Sequence, residues 1–208
     1  MEENIAPTKS NLMEAQYALE FCKRGYELLD KKRNVLIREM MGLMDKAQDI
    51  QKKVRILFKE AYEALQVANI TIGVVDVYEV AKSIPKTADF SILTRSIMGV
   101  EIPVIKYKEE ELQHYYSFYH TNTALDVAVQ KFYEVKNLLY QLAEVEDSVF
   151  KLAMEIKRTQ KRANALKNIQ IPKYTAIVKM ITEVLEEKDR EDFFRLKVLK
   201  RKLAQKAR

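Results

Sequence analysis

The chain has 208 residues and a formal net charge of +6, and 48% of its residues are apolar, which is enough for a core and excludes general disorder. Glycine and proline are scarce, with four of each, so the composition favours long helices over a loop-rich fold. The longest strongly apolar run, residues 64–75, is too short to cross a bilayer, and no signal peptide is expected.

The first predicted element is a helix over residues 9–68. The segment APTKSNL before it contains a proline and hydroxyl residues that suit a helix start. Alternating steps of three and four residues from Leu12 meet an apolar or aromatic side chain at every position except Arg33. A period of this kind, held over such a length, is typical of a coiled-coil seam. The single cysteine, Cys22, lies on the stripe, and we expect it to pack as a small apolar side chain in a reducing compartment.

A small head region is predicted over residues 69–111, where β-branched residues, glycine and proline replace the helical pattern. Residues 90–97 and 100–107 are predicted to form two strands joined at a Met-Gly pair. Pro103 would confine its strand to the edge of a sheet. An isolated two-stranded hairpin is only marginally stable, so we expect this one to lean on a helix, on a partner, or on both.

A second long helix is predicted within residues 112–203, with an apolar stripe that starts at Leu125. Pro172 removes a backbone donor, so a kink or short break is expected at residues 168–172. Two such helices in one chain most simply pack antiparallel, and a coiled-coil dimer is the alternative. The predicted fold is therefore mainly α. Residues 9–68 and 112–203 form a long antiparallel two-helix coiled coil, and the small middle region carries a short β-hairpin.

The register in which the two stripes pair is the remaining question about the fold. With equal rise per residue in both helices, the numbers of two facing residues should sum to roughly 200. Cys22 would then lie opposite about residue 178, with several residues of uncertainty, and nearest to Ile177 and Ile181. Polar residues that interrupt the stripes either fix the register, mark where another chain docks, or reach from the seam to solvent. These residues are Arg33, Glu146 and Gln160.

No catalytic, cofactor or metal site is predicted. The two histidines, His114 and His120, are six residues apart and do not share a helical face, and no cysteine lies near them. The tyrosine-rich segment between them either offers a stacking platform or packs against a neighbouring element. The glycines are too dispersed to form a phosphate-binding loop. We therefore expect a protein that is not an enzyme, has no small-molecule substrate, and does not have nucleic acid as its favoured partner.

The basic charge is concentrated at the C-terminus. Residues 195–208 contain seven Lys or Arg residues and no acidic residue, so the rest of the chain is close to neutral. Such a tail suits contact with nucleic-acid phosphates, with an anionic membrane surface, or with a protein socket. Apolar residues that continue the helical spacing favour the socket. They are Phe193, Leu196, Leu199 and Leu203.

Three motifs, in order along the chain, carry a resemblance to a known family. Residues 25–39 (GYELLDKKRNVLIRE) contain the pattern Leu-Leu-x-Lys-x-Arg-x-x-Leu. Residues 161–172 (KRANALKNIQIP) are similar to Arg-Arg-x-Asn-Ala-Leu-Glu followed by proline, with lysine at the first and seventh positions. Residues 185–202 are similar to Leu-Glu-Glu-x-Glu-Arg-Glu-x-Phe-x-x-Leu-Lys, with Asp189 where Glu is commoner. Together they resemble the D subunit, the central-stalk rotor subunit, of V-type and archaeal-type rotary ATPases and ATP synthases.

This resemblance implies a non-catalytic rotor shaft that transmits torque in the central stalk of a rotary ATPase. It implies that the two chain ends enter the bore of the hexamer of catalytic A and B subunits. A small F subunit would bind along the stalk, and a funnel-shaped subunit would join the shaft to the membrane ion-translocating ring. The chain would then be cytoplasmic, and peripheral to the membrane as part of the complex.

The resemblance also implies two candidate surfaces. The basic tail would slide against the hexamer bore, through Arg190, Arg195, Lys197, Lys200, Arg201 and Lys202. The head would contact the small F subunit, through Ile92, Ile97, Val100 and Ile102. The alternative function is a cytoplasmic coiled-coil adaptor whose basic tail binds nucleic acid or an anionic membrane surface.

Overall fold

The computed structural model describes residues 6–84, 90–107, 115–117, 119 and 121–206, except for the side chains of residues 204 and 206. The elements in chain order are α1 (Lys9–Thr71), α2 (Val74–Ser83), β1 (Phe90–Ile97), β2 (Val100–Tyr107), α3 (Thr123–Ala165), a π-helical turn (Leu166–Gln170) and α4 (Ile171–Lys206). The prediction of a mainly α fold, with long helices and one hairpin in the middle, is confirmed. Helix α2 was not predicted.

The chain divides into two compact units. Met1–Arg33 and Lys157–Arg208 form the terminal unit. Asn34–Ile156 form the middle unit. Helices α1 and α3 each contribute residues to both units, and α4 belongs to the terminal unit alone.

Helix α1 begins where the segment APTKSNL predicts a helix start. The N–H of Leu12 donates to the carbonyl of Thr8 at 3.0 Å, and the N–H of Asn11 donates to the Thr8 hydroxyl at 3.2 Å. The hydroxyl therefore satisfies one of the donors that a helix start leaves without a partner. Every buried residue of α1 lies on the predicted stripe. These residues are Ala15, Cys22, Leu36, Val54, Ala61 and Ala68.

In the terminal unit, α1 packs antiparallel to the end of α3 and the π-helical turn. Gly25 lies against Leu166, so a β-carbon at Gly25 would sit 3.6 Å from Cδ1 of that leucine, an ordinary contact. Further along α1, Nη1 of Arg33 donates to Oε1 of Gln160 at 3.0 Å. As α1 advances, its contacts move back along the partner helix, which is the antiparallel arrangement.

In the terminal unit, the numbers of facing residues sum to somewhat less than the predicted figure of roughly 200. Gly25 contacts Leu166, whereas the assumed sum of roughly 200 would place it opposite about residue 175. In the structure, every described side chain from Glu186 to Gln205 is exposed, so α4 continues beyond the residues that pair with α1. The position facing Cys22 is therefore expected between Leu166 and Ile177.

The break predicted around Pro172 takes the form of a π-helical turn. Within Leu166–Gln170 the helix widens, and the N–H of Ile171 donates to the carbonyl of Leu166, five residues back instead of four. In an uninterrupted α-helix, Pro172 would leave the carbonyl of Asn168 without its donor and would crowd it. Because the turn widens just before the proline, the helical backbone continues into α4.

In the middle unit, β1 and β2 form the predicted antiparallel hairpin, with Phe90 opposite Tyr107 at its open end. The two turn residues, Met98 and Gly99, have φ angles of 51° and 78°. A type I′ turn requires positive φ at both positions, and its twist matches that of the flanking strands. The strands begin and end at the predicted residues.

The hairpin packs on the helices mainly through β2. Val100 and Ile102 of β2 are buried in a cluster with Leu36 of α1 and Leu152 of α3. Leu152 lies outside the predicted stripe of α3, yet it is completely buried because α1 and the hairpin both pack around it. The hairpin therefore supplies part of the core of the middle unit.

A second cluster of the middle unit joins α1, α2 and α3 through Ala68, Val77 and Leu125. The reversal between α1 and α2 occurs at Gly73, whose φ of 106° is costly for residues that carry a β-carbon. In the described part of the chain, no single helix is long and apolar enough to cross a membrane. Only α1 and α2 taken together pass that test, and they are bent by 119° at their break.

Candidate partner-binding surfaces

The C-terminal part of α4 forms a fully exposed helical surface, which we call the α4 tail (Glu186–Gln205). It contains all six residues predicted to contact a hexamer bore, and each of them is exposed. Its apolar residues are also exposed, which places basic and apolar side chains on one unpaired helix. The most exposed are Phe193, Phe194, Leu196 and Leu203.

Two of the six basic residues are paired within the helix. Arg190 lies 3.4 Å from Glu187 and 3.6 Å from Glu186. Arg195 lies 3.3 Å from Asp192 and 3.4 Å from Glu191. All of these side chains are well exposed, so each ion pair contributes little to stability. They nevertheless compensate the positive charge of both arginines.

The other four basic residues have no ion pair among the described residues. They are Lys197, Lys200, Arg201 and Lys202. Since neighbouring acids neutralise Arg190 and Arg195, the uncompensated positive charge lies in the last turns of α4. These four residues are the part of the predicted set best placed to interact with an acidic partner surface.

The residues predicted as head contacts divide between the two strands. Val100 and Ile102 are 9% and 6% exposed, because they form the core contact with Leu36 and Leu152. Ile97 is half-buried at the edge of the same cluster. Ile92, on β1, is 61% exposed. Of the predicted set, Ile92 is the one residue whose side chain is exposed.

The outer edge of β2 is closed by two features of this chain. Pro103 has no N–H to offer, as predicted for an edge position. The N–H of Ile105 donates to a carboxylate oxygen of Glu144 on α3 at 2.8 Å. Glu144 therefore attaches the backbone of the hairpin to the helix, and nothing in the sequence alone marks it for that role.

The polar residues that interrupt the stripes form pairs between helices. Arg33 bonds Gln160 in the terminal unit and also contacts Asp30 at 2.6 Å. In the middle unit, Nε2 of Gln51 donates to Oε1 of Glu146 at 2.9 Å. The part-buried pair of Arg33 with Gln160 favours fixation of the register, since slippage of either helix would break it. The bond between Gln51 and Glu146 is exposed, so Glu146 reaches from the stripe to solvent.

Part of the tyrosine-rich segment packs inward. The Tyr116 hydroxyl donates to Asp126 at 2.6 Å, and its ring lies against the Ala68 cluster. Burial, together with this bond and the charge of Asp126, raises the pKa of Tyr116 well above its ordinary value. Tyr119 is 85% exposed. Both histidines lie outside the described residues.

An apolar groove of about 480 Å³ lies between α2 and α3. Val77 and Val80 line one side, and Leu125 and Phe132 line the other. The valines recur at helical spacing, so a signal for α2 was present in the sequence, but the many β-branched residues obscured it. Among the described residues, no group of three or more His, Cys, Asp or Glu side chains is arranged to hold a metal ion.

Comparison with known proteins identifies similar chains along nearly the whole length. The family model for the D subunit of ATP synthase matches residues 11–201. The D subunit of the V-type ATP synthase of Thermotoga neapolitana is 41% identical over 201 residues, which cover 97% of this chain and 99% of that protein. The D subunit of the A-type ATP synthase of Desulfurococcus sp. is 36% identical over 200 residues, which cover 95% and 94%. That of Pyrococcus furiosus is 36% identical over 199 residues, which cover 94% and 93%.

Proposed function

This chain belongs to the family of ATP synthase D subunits, and we propose on that basis that it is the non-catalytic central rotor shaft of a V-type or archaeal-type rotary ATPase. It transmits torque between the hexamer of catalytic A and B subunits and the membrane ion-translocating ring. The family match over residues 11–201 carries this proposal. The antiparallel helices of the terminal unit and the exposed α4 tail support it.

The α4 tail suits a contact that must change partner repeatedly. Lys197, Lys200, Arg201 and Lys202 are exposed, and they have no ion pair among the described residues. Exposed charges interact through a screened field with little geometric demand. The tail therefore favours weak, exchangeable contacts with the A and B subunits. Its exposed apolar residues, such as Leu196, provide packing within the bore.

Torque transmission requires that the two helices do not slide past each other. The pair of Arg33 with Gln160 opposes sliding in the terminal unit, and the pair of Gln51 with Glu146 does so in the middle unit. A part-buried polar pair in a seam, such as Arg33 with Gln160, specifies the register at that position. These pairs support a shaft whose helices keep their register within each unit.

In this proposal, the middle unit binds the two remaining partners. The head, through the exposed face of β1, binds the small F subunit. The funnel-shaped subunit joins the shaft to the membrane ring, so the chain works at the membrane periphery as part of the complex. The burial of Val100 and Ile102 narrows the predicted contact with the F subunit to the surface around Ile92.

Truncation after Phe194 tests the coupling role of the tail. Every described side chain removed is exposed, so we expect the helical signal of the rest of the chain to be retained. Reconstituted with the other subunits, the truncated chain should support less ATP-driven ion pumping per ATP hydrolysed. A full-length control with Gln at Lys197, Lys200, Arg201 and Lys202 separates the loss of charge from the loss of length. Pumping equal to that of the intact chain would contradict the proposal.

Substitution at Ile92 tests the contact with the F subunit. Ile92→Glu should weaken co-purification of that subunit while leaving the isolated chain as stable as before, since the side chain is 61% exposed. Ile56→Glu on α1 is the matched control, because Ile56 has the same exposed fraction. Deletion of the whole hairpin is less suitable, because it would uncover Leu36 and Leu152.

The adaptor function predicts a different behaviour. A chain that binds nucleic acid through the tail should bind a duplex at near-physiological salt, with an affinity that falls steeply as salt rises. The rotor function predicts co-purification with a nucleotide-hydrolysing hexamer. Mass spectrometry of the native complex isolated through this chain separates the two.

A further inference from the structure

Strand β1 is the more exposed strand of the hairpin, and its contacts with the rest of the described chain lie at its two ends. Phe90 lies against Tyr140 of α3, with 5.8 Å between ring centroids, and Ile97 packs against the Leu36 cluster. All of its side chains from Phe90 to Ser96 are exposed, whereas the first, third and fourth residues of β2 are buried. Ile92 and Leu93 are 61% and 44% exposed. The hairpin therefore has an inner strand, β2, seated on the helices and an outer strand, β1, at its free edge.

The register of the hairpin shows which backbone groups point outward along that edge. In a hairpin with a two-residue turn, the residues that flank the turn exchange both hydrogen bonds, and every second pair after them does the same. Ile97 and Val100 flank the turn, so Arg95 bonds across to β2 and Thr94 does not. The β1 residues that do not bond across to β2 direct their N–H groups away from it. They belong to Ile92, Thr94 and Ser96.

The described part of the chain contains no acceptor bonded to these outward N–H groups. The outer edge of β2 differs, because Pro103 has no N–H there and the N–H of Ile105 is bonded to Glu144. Natural sheets protect free edges with proline, with charge, or by covering them. β1 contains no proline and only one charged residue, Arg95. Among the described residues, one edge of the hairpin is therefore closed and the other has no hydrogen-bond partner.

We propose that a β-strand of a neighbouring protein in the same complex adds to β1 and extends the hairpin to three strands. This proposal rests on the proposed function for the existence of that complex. The outward N–H and C=O groups select an extended backbone as the occupant, because only a strand matches their spacing. A third strand also removes the marginal stability of a two-stranded unit.

The charge of β1 identifies the chemistry of the added strand. Arg95 is exposed and forms no ion pair with any described residue. The added strand carries an acidic residue beside Arg95 and apolar residues that cover Ile92 and Leu93. A second copy of this chain is a poorer occupant, because β1 contains no acidic residue to place beside Arg95.

Hydrogen exchange resolved to single amides tests the proposal directly. The full chain alone is compared with the same chain in the purified complex, and fragmentation in the gas phase assigns the exchange to individual residues. We expect the amides of Ile92, Thr94 and Ser96 to gain protection of roughly tenfold or more in the complex, since each gains a hydrogen bond. The amides of Leu93 and Arg95, already bonded to β2, should change less. Equal exchange at the outward amides in both samples overturns the proposal.

A pair of variants at one residue tests the same bond chemically. Thr94→Pro removes an outward N–H and no bond of the hairpin itself, and Thr94→Ala removes the side chain but keeps the N–H. In a quantitative reconstitution with the other subunits, Thr94→Pro should weaken assembly roughly tenfold relative to Thr94→Ala. Equal assembly of the two variants overturns the strand addition.

Three further outcomes are distinguishable. A chain that joins the complex with unprotected outward amides refutes the added strand and leaves the rotor function intact. A chain that does not join the complex refutes both. A dimer of the isolated chain in sedimentation, with the outward amides already protected, identifies a second copy as the occupant and overturns the proposed partner.

Discussion

The backbone N–H of Ile105 and the carboxylate of Glu144 are joined by a 2.8 Å hydrogen bond between the hairpin and α3. The bond spans 39 residues of sequence and satisfies a partly buried donor. Because β2 has no further strand on that side among the described residues, Glu144 takes the place that a third strand would occupy.

Replacement of Glu144 tests this attachment. Glu144→Ala leaves the Ile105 N–H without its acceptor and should destabilise the seating of the hairpin by about 1–2 kcal/mol. The amide of Ile105 should then exchange faster, whereas amides in α4 should not change. Glu144→Gln keeps an acceptor oxygen and should have the smaller effect. Unchanged exchange at Ile105 in the alanine variant would show that the bond is not maintained in solution.

The turn of the hairpin can be improved. Met98 has a φ of 51°, a conformation that Asn and Gly tolerate better than Met. Met98→Asn should therefore stabilise the middle unit by about 0.4–1 kcal/mol, observed as a higher melting temperature. Met98→Val, which is β-branched, should lower it. If the valine variant melts above the asparagine variant, the turn does not have the φ angles described.

Leu152 is the residue on which the core of the middle unit depends most directly. It is completely buried with Leu36 and the hairpin, so Leu152→Ala should cost about 2–5 kcal/mol in the free energy of unfolding. Met154→Ala is the matched control two residues away. Met154 is 55% exposed, and its truncation should change stability by about 0.5 kcal/mol or less. Urea titrations of the two variants measure the difference, and similar midpoints would place Leu152 outside the core.

The protonation of Tyr116 predicts a loss of stability at alkaline pH. Its pKa is higher in the folded than in the unfolded state, so the neutral phenol stabilises the fold below the unfolded pKa of 10.0. As pH rises above that value, the unfolded state ionises first and this contribution is lost. Tyr116→Phe removes the effect, so the difference in urea midpoint between the two proteins should shrink from roughly pH 9 to roughly pH 11. A constant difference would mean that Tyr116 titrates alike in both states.

Cys22 provides a test of the antiparallel register. Cysteine introduced at Gln170, Ile171 or Tyr174, one at a time, should give an intrachain disulfide on mild oxidation at one of these half-buried positions. Dilution should not reduce its yield. Ile169, which is 62% exposed, is the control position and should not cross-link. A disulfide between the Cys22 residues of two unmodified chains, with no intrachain product, would support a parallel dimer instead.

The long helices were predictable from the sequence because a sustained apolar period has few structural solutions. The buried residues of α1 fall on the stripe drawn from Leu12, and the strand bounds follow from β-branched residues on either side of a Met-Gly pair. The prediction failed where tertiary context decides. Leu152 is buried because the hairpin covers α3 there, and that contact is not encoded in the period of α3.

The sequence predicts which residues make up the candidate surfaces, but not which of their side chains are exposed or left without an ion pair. The sequence shows that Val100, Ile102 and Ile92 are apolar strand residues, but only the packing of β2 on Leu36 and Leu152 shows which of them remain exposed. Likewise, the run of basic residues is evident from the sequence. Which of them have acidic neighbours within reach depends on the helical geometry of residues 186–195.

The wide turn at Leu166–Gln170 has a consequence for the phase of the helix around its axis. A turn that holds one extra residue rotates everything after it by roughly 100° relative to an uninterrupted helix. In genetic terms, this is the geometry that insertion of a single codon produces. Removal of one codon within this turn should therefore swing the α4 tail by about a quarter of a revolution, and it should also crowd Pro172 against the preceding turn, as in an uninterrupted α-helix. The angular position of its free positive charges is thus set by five residues of the preceding helix.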